Sequence, residues 1–78
     1  MDGLSQAIEA AGGISSLARA CGVTPQAVVI WRKKLPAERV LDISRACDWK
    51  VSPHRLAPHL YPNPHDGMPS WAIQKENA

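Results

Sequence analysis

The sequence predicts an all-α fold, a compact domain of four to five short helices with an irregular C-terminal tail. Three observations carry that expectation. Apolar residues recur at helical spacing from Leu4 to Ala11, Leu17 to Cys21, Val28 to Trp31 and Val40 to Cys47. The breaks between these runs fall on Gly12, Gly13, Gly22 and Pro36. No stretch alternates apolar and polar residues cleanly enough for a β-hairpin. At 78 residues the chain makes one domain at most, and so small a core needs well-packed helices or a partner chain. A hydrophobic content of 45%, with no Phe and three Trp, places it among globular rather than disordered chains.

Taken in order, Asp2 is a candidate cap for a first helix that carries Leu4, Ala7, Ile8 and Ala11 and stops at Gly12 and Gly13. The stretch from Ile14 to Lys34 organises the rest. Leu17, Ala18 and Cys21 give its first helix one apolar face, with the small Ala18 where the next helix passes close. Gly22 can end that helix in the left-handed conformation, and Val23 plugs the turn. Thr24 then caps a new helix with Pro25 at its first position, where a missing N–H costs nothing. This is the helix-turn-helix layout, which sets its second helix in the major groove of DNA. An ordinary helical hairpin needs the apolar spacing, but not the small residue, the glycine and the Thr-Pro start at these offsets.

The second helix divides its residues between two sides. Thr24, Val28, Trp31 and Leu35 fall on one, which packs; Gln26, Val29, Ile30 and Lys33 fall on the other, which is presented. The helix is expected to end near Lys34, because Pro36 disfavours helical geometry at Leu35. Pro36 is expected to begin a fourth helix in which Val40, Ile43 and Cys47 close the core beneath Trp31, while Arg39, Asp42 and Arg45 stand at spacings that allow exposed ion pairs. Val51 to Pro53 link into a short capped helix through Leu56, ended before Pro58, and the run from Tyr61 to Gly67 reads as loop. The last stretch, with Met68, Trp71 and Ile73, is too apolar for a solvated tail and too short to fold alone, so it docks on the domain or across a dimer. The expected division is a helix-turn-helix domain over 1–62 and a Pro-containing tail over 63–78.

Net charge is only +2, but its distribution is informative. Between Ile14 and Arg39 the basic residues Arg19, Arg32, Lys33, Lys34 and Arg39 face the single acid Glu38, so positive potential sits where a phosphate backbone would want it. No apolar run approaches a membrane span, and a start with Asp2 and Glu9 lacks the features of a signal peptide, which points to the cytoplasm. Cys21 and Cys47 lack the paired spacing of a zinc site and read as buried thiols. His54, His59 and His65 straddle prolines without an i, i+4 pair, so scattered surface histidines are expected rather than a metal centre. No catalytic constellation or phosphate loop can be assembled; the expectation is a protein without cofactor, metal or enzymatic activity.

The run LARACGVTPQAVVIWRKKLPAERVLDISRA, followed by VSPHRLAPHLYP, resembles the Cro/CI-type helix-turn-helix proteins of phages and prophages, and most closely their YdaS-like branch of Cro-like regulators and antitoxins. The likeness covers Ile14 to about Pro62 and rests on the Leu-Ala pair, the glycine turn, the Trp of the second helix, the Pro-Ala-Glu-Arg start of the next and the terminal Tyr-Pro. It implies a lambda-repressor-like fold and a sequence-specific regulator that binds double-stranded DNA as a homodimer. The chain departs from the pattern at Val29 and Ile30, where similar proteins carry polar residues, so no particular operator carries over.

The exposed face has a chemistry of its own. Gln26, in the first turn, can hydrogen-bond both N6 and N7 of adenine, while the methyls of Val29 and Ile30 can pack on the C5-methyl of thymine. Lys33 reaches a base edge or a phosphate, and Ser15, Ser16, Thr24, Arg32 and Lys34 are the expected phosphate contacts. The competing expectation is a helix-turn-helix scaffold that binds a protein partner, a toxin or another regulator, through Val29, Ile30 and the tail. Two-fold symmetry would place half-sites about 34 Å apart on a palindromic operator.

Overall fold

Asp2 opens the first helix. Its carboxylate accepts a hydrogen bond from the Ser5 N–H at 2.7 Å, and that bond holds the Asp2 carboxyl below its ordinary pKa. The computed structural model describes residues 2–77, with side chains over 2–73. Its elements are α1 (Gly3–Ala11), α2 (Ile14–Cys21), α3 (Pro25–Trp31), a 3-10 turn at Ala37–Arg39, α4 (Val40–Ala46), α5 (Pro53–Leu56) and α6 (Ser70–Asn77). There is no strand among the described residues, so the fold is all-helical, as the periodicity predicts.

Glycine turns the chain after α1 and α2. Gly12 takes φ +97° and Gly22 φ +73°, and the residue after each donates five back, Gly13 to the Ile8 carbonyl at 2.8 Å and Val23 to the Ala18 carbonyl at 2.9 Å. Carbonyls left open at the helix ends are thereby satisfied. The end of α4 is closed the same way, Trp49 N–H to the Ser44 carbonyl at 2.8 Å, but without glycine: Asp48 and Trp49 themselves adopt φ +57° and +61°.

Two boundaries differ from expectation. The second helix of the motif stops at Trp31 rather than near Lys34, because its last turn tightens: Arg32 donates to Val29 and Lys33 to Ile30, each three residues back. Pro36 lies outside the next helix in an extended conformation, and the 3-10 turn carries the chain from it into α4. The tail differs too, since Ser70–Asn77 is helical where an irregular segment is expected.

The core gathers Leu4 and Ile8 of α1, Leu17 and Ala18 of α2, Val28 and Trp31 of α3 and Ile43 of α4, with Cys47 and Val51 beyond. Helix α2 packs against α1, α3 and α4 together, which makes it the centre of the domain. Helix α1 also lies flush on α5: a Cβ at Gly3 would stand 2.5 Å from the Arg55 carbonyl oxygen, so only glycine fits there. In the loop before α6, Gly67 sits at φ +78° where a Cβ would press on Leu41, Tyr61 and Pro53. Ala72 of α6 is buried and Ile73 half-buried, while Trp71 beside them is exposed.

Both cysteines are free, Cys47 buried and Cys21 half-buried; burial, and then the Asp42 carboxylate, push the Cys21 thiol above its usual range. Arg39 and Asp42 form an ion pair at 3.3 Å on the outside of α4, worth only tenths of a kcal/mol. The side chain of Ser44 is fully buried, and its hydroxyl has no hydrogen-bond partner.

Candidate nucleic-acid interface

Close approach of α2 and α3 depends on the small, buried Ala18, and the sharp turn between them on Gly22. At the start of α3 the Thr24 hydroxyl accepts the Ala27 N–H at 3.4 Å, with Pro25 in the first helical position. Thr24 is exposed, since a cap stands outside the helix whose packing face it precedes, and Leu35, beyond the end of α3, is half-buried. The packed side of α3 thus reduces to Val28 and Trp31, the latter 6% exposed.

The opposite side of α3 is open. Gln26 is exposed, and Val29 and Ile30 retain 49% and 63% of their surface. Trp71 of the C-terminal segment is likewise 54% exposed. Lys33 follows in the turn after α3, together with exposed Arg32 and Lys34. Ser15 and Ser16 are exposed in the first turn of α2, and Arg19 is exposed one turn on. All nine candidate contact residues therefore reach solvent, with Gln26, Val29 and Ile30 forming a stripe on α3 and the cations gathered at its end.

Two features outside this face escape the sequence reading. Ala20, Cys21, Asp42, Arg45 and Ala46 line a groove of about 410 Å³ between α2 and α4. His54, rather than being one of several loose surface histidines, is half-buried, with Nδ1 2.7 Å from the Tyr61 carbonyl oxygen. That bond ties α5 to the loop leading toward Gly67. Neither had a sequence signal, because each joins residues from separate elements. Among the described residues no three His, Cys, Asp or Glu side chains converge on one point, and no helix is long and apolar enough to cross a membrane.

These elements define a small helical domain of the helix-turn-helix class. More specifically, the model of the family described as "Bacterial toxin YdaS" matches residues 4–65, and the chain belongs to that family. The matched span takes in α1 as well as the region from Ile14 onward, and ends ahead of α6. No curated protein and no solved structure gives a significant match.

Proposed function

We propose that this protein is a Cro-like, sequence-specific DNA-binding regulator of transcription, acting in the cytoplasm as a homodimer on a palindromic operator. The observation that supports this best is the division of α3: Val28 and Trp31 anchor it, Gln26, Val29 and Ile30 stand outward, and Arg32, Lys33 and Lys34 follow at its end. Inserted in the major groove, the outward stripe meets base edges while the cations neutralise phosphates and release their counterions. Gln26 selects adenine through two hydrogen bonds, and Ser15, Ser16 and Thr24 hold the register on the backbone. In this reading the toxicity named in the family description arises from occupying operators.

Selection of bound sites from a random duplex library, followed by titration across salt concentrations, tests the proposal. Gln26→Ala is expected to lose about 1–3 kcal/mol on the selected site and little on random DNA. Lys34→Ala is expected to weaken both and to flatten the salt slope by about one unit. Binding that is indifferent to salt, or a library that yields no common site, would overturn it. The exposure of Val29, Ile30 and Trp71 favours a second reading, in which this surface docks a protein, a toxin or another regulator. Salt-insensitive capture of such a partner, lost on substituting Val29 and Ile30, would put that reading first.

A further inference from the structure

The adjacent pair Val29 and Ile30 gives the face a selectivity that hydrogen-bonding residues would not. We infer that α3 reads the C5-methyl of pyrimidines as such, so that 5-methylcytosine is accepted where the site otherwise requires thymine; this rests on the DNA-binding reading above and names the ligand chemistry of that same surface. Neither side chain has a donor or acceptor, and both project from the last turn of α3, with 49% and 63% of their surfaces open. What such a pair can distinguish on a base edge is a methyl group from a hydrogen. On the major-groove edge of unmodified DNA that methyl belongs to thymine alone, and methylation of cytosine at C5 puts the same group at the same ring position. The exocyclic groups of the two bases differ, acceptor O4 on one and donor N4 on the other, but valine and isoleucine make no use of that difference.

Charge points to DNA rather than to a protein as the occupant, and side-chain stiffness suits a fixed methyl contact. Arg32, Lys33 and Lys34 follow the pair directly and no acid occurs in the chain from Ile14 to Lys34; the Asp2 carboxylate comes within electrostatic reach of Arg32 alone, so the balance beside the pair is positive and complements a phosphate backbone. Both residues are also β-branched, which in a helix leaves essentially one χ1 rotamer, so their methyls are pre-set and little freedom is lost on contact. Gln26, one turn earlier, reads its own adenine independently of the methyl contact. Cytosine methylation of the operator thereby becomes a signal that strengthens binding at positions where cytosine replaces thymine.

The test uses the full chain and four versions of the selected duplex, carrying thymine, uracil, cytosine or 5-methylcytosine at the positions facing α3. Uracil keeps the hydrogen-bonding edge of thymine and removes only the methyl. It is expected to weaken binding about fourfold for each methyl covered, and 5-methylcytosine to strengthen binding over cytosine by a similar factor. Both responses are expected to vanish in the Val29→Ala, Ile30→Ala double variant, with helicity by circular dichroism and the salt slope unchanged. Absence of a 5-methylcytosine response in a protein that still binds the thymine site with steep salt dependence overturns this inference and leaves the DNA-binding reading standing. Responses that persist in the double variant overturn it as well, since they assign methyl sensing to DNA shape or to other residues. A double variant that binds DNA like the parent and loses a protein partner gives the surface to that partner. Salt-independent or absent duplex binding removes both readings together.

Discussion

Four apolar residues stand in a row from Val28 to Trp31, and the fold treats them as two opposite pairs. Val28 and Trp31 are sealed in the core, whereas Val29 and Ile30 keep about half or more of their surface. At about 100° per residue the two pairs point about 180° apart around α3, so nothing in their hydropathy separates them; the packing against α2 does. Burial of one pair serves stability, and exposure of the other leaves an apolar surface free for recognition. The same chemistry thus carries structure on one side of a helix barely two turns long and, in the proposed function, meets DNA on the other.

The sharpest way to break this contrast is on the packed side. Trp31→Ala is expected to cost about 3–5 kcal/mol, comparable with the whole stability of so small a domain, and a melt as cooperative and as high as the parent's would remove Trp31 from the core. Next comes the joint that sets the angle between the two helices. Space around Gly22 is open, so Gly22→Ala carries only the backbone cost of φ +73°, about 1–2 kcal/mol by urea titration. A loss well beyond that would show that the turn also depends on packing. The presented side should respond least: the Val29→Ala, Ile30→Ala double variant is expected to melt within about 0.5 kcal/mol of the parent, and a larger loss would make those residues part of the core after all.

Much of this arrangement is legible before any coordinates, for a physical reason. The Asp2 and Thr24 caps, the stops at Gly12 and Gly22, the burial of Leu17, Ala18, Val28 and Trp31, and the outward position of Gln26, Val29 and Ile30 all follow from residues a few positions apart along one helix or turn. What sequence reading misses depends on distant partners. The fit of Gly3 against the Arg55 carbonyl, the His54–Tyr61 bond and the groove between α2 and α4 each join separate elements and leave no periodic trace. Helix ends fall between these cases, as with the tightened turn after Trp31, because short-range bonds compete closely there. The tail is legible only in part: of Met68, Trp71 and Ile73, which suggest docking, Met68 and Ile73 are half-buried and Trp71 is exposed, while the most buried residue there is Ala72.

Ser44 bears on how long such a protein lasts in a cell. Its hydroxyl is wholly buried within the contact region of α4 and has no hydrogen-bond partner, so the folded state carries a desolvation cost of about 1–3 kcal/mol that an alkyl group of similar size would not impose. In a domain whose total margin is only about 5–15 kcal/mol, that cost raises the standing fraction of unfolded molecules by roughly 5- to 150-fold. Proteases draw on that fraction. Ser44→Ala is therefore expected to slow clearance of the protein once synthesis stops, which a pulse-chase measurement would check.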